Sequence, residues 1–202
     1  MSLRIKSQWF KAGTPKSAQQ TASALAFIVW RVAQNMLTQM RSAHFDIDIG
    51  PQYFAFMREV LVFLIQTVDR MAFDCMTLHE REAFTPSLVR RVAEILEDSE
   101  DDLIGRPAEG VESHRAQFID LFNALSEDYA TFGHDADGPD FAFVRYLGSR
   151  ITALMAAKDQ NWALEQIMAI EAPEAVVTLK SAMLGVFSTE PRAARRQSVS
   201  GD

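Results

Sequence analysis

The sequence predicts an all-α protein in which about seven helices form a single-domain bundle around one central apolar helix, near residues 52–76. Three observations support this fold class. Apolar residues recur at steps of three and four along most of the chain, which is typical of amphipathic helices. The stretch 52–76 is apolar around almost its whole circumference, as expected of a helix with neighbours on every side. Only residues 44–49 alternate with the period of a strand, and no unit repeats every 20–50 residues.

The composition places the chain among ordinary globular proteins, with 48% hydrophobic and 23% charged residues in a length of 202. A net charge of −7 argues against binding nucleic acid or an anionic membrane over the whole surface. The basic residues near the two ends stand apart from this acidic balance. We therefore expect a basic N-terminal arm (residues 1–13), one helical domain (14–187) and a disordered basic tail (188–202).

The single cysteine bears on the compartment of the protein. Cys75 cannot form an internal disulfide and follows the apolar face of the central helix, which favours a reducing, cytoplasmic environment. No signal-peptide pattern is visible at the start. No segment approaches the roughly 20 predominantly apolar residues that a membrane-spanning helix needs.

Cap signals locate the first helices. Thr14-Pro15 predicts the start of the first helix, which should end near Ala43. The segment 44–51 is interpreted as an extended connector whose apolar residues turn inward, namely Phe45, Ile47 and Ile49. After the central helix, Thr85-Pro86 repeats the cap signal, and Gly105 should end the helix that follows.

The second half of the chain shows four further helical patterns. One begins near Glu112 and should end at Gly133, and another should run from Pro139 to about Lys158. The last two, residues 162–171 and 173–187, are separated in this interpretation by Pro173, which disfavours helix at the residue before it.

The residues that most resemble metal ligands are weak candidates. His44 and Asp46 belong to the extended connector, where His44 and Asp48 would lie roughly 13 Å apart at about 3.3 Å per residue. His79 begins a His-Glu-Arg-Glu run that lacks the second histidine of a zinc-protease helix. No metal site and no cofactor are therefore predicted, and His44, Asp46 and His79 are retained only as candidates.

Two other groups of residues admit a chemical and a structural interpretation. Cys75 and His79 are four residues apart and could pair as thiolate and imidazole, but a small buried thiol is the commoner meaning. Asp135 and its neighbours fail the spacing of a calcium-binding EF-hand loop, and turn chemistry accounts for them. No phosphate-binding loop or nucleophile motif is present, and no catalytic residue is predicted.

The leading hypothesis is a non-enzymatic interaction protein that binds another protein or a second copy of itself as a homodimer. The expected contact residues are two aromatic residues of the basic arm and three acids late in one helix, namely Trp9, Phe10, Glu97, Asp98 and Asp101. Two alternatives stay open. The bundle could enclose an apolar small molecule, or an enzyme site could use histidines and aspartates that form no recognisable motif. A nucleic-acid partner is not expected.

Overall fold

A computed structural model describes residues 16–187, and these residues are helical throughout apart from the connecting segments. The helices are α1 (Ala18–Ser42), α2 (Pro51–Phe73), α3 (Leu78–Ile104), α4 (His114–Ala130), α5 (Phe141–Leu154), α6 (Gln160–Gln166) and α7 (Ala172–Phe187). A π-helical turn, Ile167–Glu171, joins α6 to α7. The prediction of an all-helical bundle is confirmed, because no strand forms within the described residues and the helices pack against one another. The arm and the tail lie outside these residues.

Helix α2 is the centre of the bundle, as the sequence predicts. It contacts α1, α3, α4, α5 and α7, and every side chain from position 59 to position 69 is buried. Burial of this kind requires a helix that is apolar on all sides, because any polar side chain on it must find a partner inside the protein. The helix ends at Phe73 and not at Met76. None of the helices in residues 16–187 combines the length and the apolar character needed to cross a bilayer.

Two buried carboxylates on α2 are each held by an arginine from another helix. The Arg150 guanidinium on α5 donates from Nε and a terminal nitrogen to Glu59, at 3.0 and 2.5 Å. Arg81 on α3 binds Asp69 in the same way, at 3.0 and 2.6 Å, and the Thr85 hydroxyl also donates to Asp69. Two-pronged pairs of this kind fix both distance and orientation, so they set the position of α5 and α3 against α2.

In a third buried ion pair the carboxylate is on α3 and the arginine is on α2. Glu100 on α3 has no exposed surface and receives two hydrogen bonds from Arg58 of α2, at 3.0 and 2.9 Å. His114, the first residue of α4, places Nδ1 2.9 Å from a Glu100 oxygen without the alignment of a hydrogen bond. Arg58 also donates to Gln117 of α4. This cluster therefore ties α2, α3 and α4 together at one end of the bundle.

The start of α3 corrects the sequence interpretation. The helix begins at Leu78 with Thr77 as its N-cap, and Thr77 and Glu80 form a reciprocal capping box. Pro86 consequently lies inside the helix instead of at its start. Its missing N–H leaves only the carbonyl of Glu82 without a helical partner, and Glu82 is exposed to water. The predicted end at Gly105 is confirmed, with φ +85°.

Helix α1 ends at Ser42 with Ala43 as its C-cap, as predicted, but its start and the connector that follows it differ from the predictions. Ser17 caps α1 through a capping box with Gln20, while Thr14 and Pro15 lie outside the described residues. In the connector Ile47 is buried as expected, but Ile49 is 80% exposed, because the segment turns at Ile49 and Gly50 into α2. Cys75 follows the end of α2 and is exposed, so the interpretation as a buried core thiol was wrong.

Helices α4 and α5 are shorter than predicted, whereas the predicted helix break at Pro173 does not occur. Helix α4 begins after Ser113 and ends before Gly133, and α5 ends at Leu154. No break occurs before Pro173, because the π turn carries the helix through. The Ala172 N–H donates to the Ile167 carbonyl five residues earlier. This wider turn gives room for the proline ring, which would otherwise press on the carbonyl four residues before it.

Replacing Arg150 by methionine should lower the free energy of unfolding by about 3 kcal/mol, because Glu59 is left buried without its cation. Adding Glu59→Leu should recover most of this loss, since an apolar pair needs no compensation. Urea unfolding monitored by circular dichroism measures both effects. Lys158→Met, which removes an exposed pair with Asp46, is the control and should change little. Equal effects of Arg150→Met and Lys158→Met would contradict a stabilising role of the buried pair.

Candidate functional site

A groove of about 550 Å³ lies between α1 and α7 and is open along one side. Its volume is within the range of ligand and peptide sites. The α1 wall combines apolar and polar side chains, namely Phe27, Ile28, Trp30, Arg31, Val32, Asn35 and Met36. The α7 side is formed by Glu171, Glu174, Ala175 and Thr178. Residues spaced by three, four and seven positions share one helix face, which explains how a single face of α7 forms this wall.

Of the two acids that line the groove, Glu171 is buried and Glu174 is exposed. Glu171 is the last residue of the π turn, and only 2% of its surface is exposed. The Gln166 side-chain amide donates to one of its oxygens at 2.9 Å. Burial raises the pKa of Glu171 above its ordinary value of 4.5; the hydrogen bond from Gln166 opposes this rise, and the charge of Glu174 adds to it. A carboxyl group in such a position can accept a cation or exchange a proton.

Glu171 differs from the other buried carboxylates in having no arginine. Glu59, Asp69 and Glu100 each bind a guanidinium, as described above. Within residues 16–187 no cationic nitrogen lies within 4.0 Å of the Glu171 carboxyl; Arg31 lines the same groove but forms no ion pair with it. A buried carboxylate gains much of its stability from a cation, so Glu171 is suited to a cationic group from outside the described residues.

Helix α7 and the π turn before it also expose apolar side chains beside the groove. Ile170, Val177 and Leu184 are 43%, 67% and 74% exposed. Val177 and Leu184 are seven residues apart on α7, a step that takes an α-helix through nearly two full turns and places both side chains on one stripe. Ile170 is seven residues before Val177 and belongs to the π turn. We call the three residues the α7 stripe. Glu174, on the rim of the groove, lies between the stripe and the groove on the helix surface.

The three acids predicted to bind a partner, Glu97, Asp98 and Asp101, do not line this groove. Trp9 and Phe10 lie outside the described residues. Glu97, Asp98 and Asp101 are on the last turns of α3, where Asp98 is exposed and the other two are half-buried. Asp101 accepts a hydrogen bond from Arg106 at 3.1 Å. With Glu100 and Asp102 these acids form an acidic patch, residues 97–102. The patch is partly engaged within the protein, because Glu100 belongs to the buried cluster with Arg58.

The three candidate metal ligands, His44, Asp46 and His79, do not form one site. His44 adopts φ +68° in the turn that ends α1, and Asp46 accepts a hydrogen bond from Lys158 at 2.8 Å, which lowers the pKa of Asp46. The side chain of His79 is 97% exposed on the first turn of α3, so it does not share a helix with Cys75. In the part of the chain that is described, no three histidine, cysteine, aspartate or glutamate residues are arranged to hold a metal ion.

The loop 134–140 uses its acids to shape the backbone, in agreement with the turn interpretation. The Asp135 carboxylate accepts the N–H groups of Asp137 and Gly138, and Asp140 caps α5 by accepting the Phe143 N–H. Lys180 of α7 donates to two carbonyls of this loop. The loop is thereby fastened to α7.

A second polar cluster lies between α2, α4 and α5 and was not foreseen from the sequence. The Tyr129 hydroxyl is buried without a hydrogen-bond partner, and burial raises the pKa of this phenol. Beside it, the Tyr146 hydroxyl donates to Asp128 at 2.5 Å. The rings of Tyr129 and Tyr146 are in edge contact with centroids 5.1 Å apart. Tyr129 has no exposed surface, so its hydroxyl is closed to a ligand in this conformation.

Sequence reasoning missed Glu171 because it placed a helix boundary at Pro173. The available signal was the recurrence of 171, 175 and 178 on one face together with an apolar helix that continues past the proline. A glutamate on a face that otherwise carries small residues is a candidate for a buried acid. Only the packing of α1 on α7 shows that this face borders a groove.

Replacing Gln166 by leucine should raise the pKa of Glu171 further, because a donor to the carboxylate is lost. Since a raised pKa in the folded state favours the protonated form, stability falls as pH rises from 4.5 through the folded pKa. The loss caused by Gln166→Leu should therefore be small at pH 4, grow with rising pH and then level off. Urea unfolding over pH 4–9 measures it. Gln34→Leu, at an exposed position of α1, is the control, and a gap independent of pH would contradict the assignment.

No family model, no curated protein and no solved structure matches this chain. The groove between α1 and α7, with its buried carboxyl group, is consequently the feature from which a function can be inferred.

Proposed function

We propose that this chain is a non-enzymatic helical interaction protein that binds an amphipathic, basic helix of a protein partner along the α1–α7 groove and the α7 stripe. The observation that carries the proposal is the stripe itself. Three large apolar side chains at seven-residue spacing are exposed on α7 and on the π turn before it, next to one wall of the groove. Helix-in-groove recognition uses this spacing, because the partner's apolar residues recur with the same period.

The charge of the described domain supports a basic partner. Residues 16–187 contain 25 acidic and 14 basic side chains, a net charge of −11 against −7 for the whole chain. Complementary charge steers association and discriminates against other acidic proteins. At the groove itself, Glu171 and Glu174 outnumber Arg31. A helix with apolar residues on one side and lysine or arginine on its flank fits both features.

An apolar small molecule in the groove is the second candidate, and the volume of about 550 Å³ favours it. The open side of the groove weakens this candidate, since sites for apolar molecules usually enclose most of the ligand surface. Native mass spectrometry of protein purified gently from its host separates the two. A retained small-molecule mass supports the ligand, whereas a hetero-complex supports the partner helix. Cytoplasmic location and a homodimer remain predictions.

A photoreactive amino acid at position 177 should cross-link the partner in the host cell, because Val177 is at the middle of the α7 stripe. Leu184→Asp in the same chain should abolish the adduct, since it places a charge on the stripe without disturbing the core. The matched control carries the photoreactive residue at Asp120, an exposed position on α4. Mass spectrometry identifies the adducts. The same adduct from both positions, or one that persists with Leu184→Asp, would exclude the stripe as the binding surface.

A further inference from the structure

We infer that the partner helix covers a longer line than the α7 stripe, one that begins at Trp162 of α6, and that it carries basic residues on both sides of its apolar seam. This inference rests on the proposed function and specifies the length and the charge pattern of the partner. The juxtaposition that carries it is an exposed tryptophan that the π turn brings into line with the α7 stripe, with exposed acids on either side.

Trp162 continues the seven-residue spacing of the α7 stripe across the π turn. It is 66% exposed and precedes Val177 by fifteen positions. One of these positions is the additional residue that the π turn holds, so the two side chains are separated by the equivalent of two heptads. The buried side of the helix makes the same step. Ala163 and Ile167 are four positions apart, and the next residue without exposed surface, Ala172, follows after five. We call Trp162 and the α7 stripe together the extended stripe.

Two exposed acids lie on opposite sides of the extended stripe. Glu165 follows Trp162 by three positions, a step that turns an α-helix to one side of the line. Glu174 precedes Val177 by three positions and therefore lies on the other side, toward the groove. Within residues 16–187 neither acid forms an ion pair.

The loop 134–140 adds a third exposed acid, on the side of Glu165. Lys180 follows Val177 by three positions and donates to the carbonyls of Ala136 and Asp137, so the loop borders the extended stripe there. Asp137 is exposed, and its carboxylate forms no ion pair with a described residue. The two carbonyls occupy two of the three donors of the Lys180 ammonium. The extended stripe is thus bordered by negative charge on both sides.

This charge pattern favours a basic partner over a second copy of the chain. The same surface of a second copy carries the same acids, so pairing two copies would bring like charges together. A helix with lysine or arginine on both sides of an apolar seam meets an acid on each side. Trp162 and Leu184 are 22 positions apart, about 33 Å at 1.5 Å per residue, so the partner helix needs about three heptads.

A synthetic peptide of four heptads tests this pattern with the full-length protein, by fluorescence anisotropy. It has leucine along one seam and lysine at the positions on both sides, and the lysines keep two peptides from pairing with each other. Trp162→Ala should weaken its binding at least about tenfold, because tryptophan is among the residues that dominate binding energy at interfaces. Leu78→Ala removes an equally exposed apolar side chain at the start of α3 and is the matched control, which should leave binding unchanged.

The same peptide with glutamate in place of lysine should not bind. Equal binding of the two peptides would overturn the basic partner, and equal binding of the lysine peptide to wild type and Trp162→Ala would overturn the extension to α6. Analytical ultracentrifugation tests the other occupant. Self-association of the protein that Trp162→Ala disrupts would overturn the inference in favour of a second copy.

A photoreactive aromatic amino acid at position 162 tests the length of the contact in the host cell. It should capture the same protein as the photoreactive residue at position 177, and the two captured residues should lie about fourteen positions apart in one basic helix, because two heptads separate the two positions. No adduct from position 162, or one with a different protein, would overturn the inference. An adduct from position 177 would still uphold the proposed function, whereas no adduct from either position would overturn both.

Discussion

The complete burial of the middle of α2 is the constraint on which the rest of this structure depends. A helix surrounded by five others cannot leave a polar side chain without a partner, because water is excluded and the cost of an isolated charge is severe. Glu59 and Asp69 nevertheless occur in its buried stretch. Each imposes an arginine on a neighbouring helix, and the arginine fixes that neighbour more specifically than apolar packing does. The polar pairs thus determine orientation, while the apolar residues supply most of the driving force.

In the groove between α1 and α7 a buried acid has no arginine partner within the described residues. Glu171 is as deeply buried as the paired acids, but its side chain is bound only by the Gln166 amide. Burial makes the ionised form of such an acid unfavourable, and a cation of suitable geometry that binds to it compensates this cost. The adjoining apolar stripe adds a second contribution to binding, the burial of exposed apolar surface. A surface that combines the two can select a partner by charge and hold it by burial.

The fold class and the central helix could be predicted from the sequence because the apolar pattern of residues 52–76 has one explanation. Helix boundaries were harder where two signals competed. Thr85-Pro86 has the form of a cap, yet Thr77 and Glu80 cap α3 reciprocally and the hydroxyl of Thr85 donates to Asp69. Glu100 lies among four other acids in residues 97–102, and no local pattern marks it as buried, because its pairing with Arg58 joins residues 42 positions apart. Long-range partners of this kind, and the groove with them, leave no local pattern in a single sequence.

The π turn at Ile167–Glu171 has a consequence for how this chain tolerates changes in length. A turn that closes its hydrogen bond over five residues holds one residue more than an α-helical turn. Removing one residue from it would return the segment to α-helix and leave the faces of α6 and α7 in their present directions, but the Pro173 ring would then press on the carbonyl four residues before it. The same removal elsewhere in either helix would rotate everything beyond it by about 100°. The turn therefore marks the place where this helix can lose a residue with the least rotation of the segments on either side.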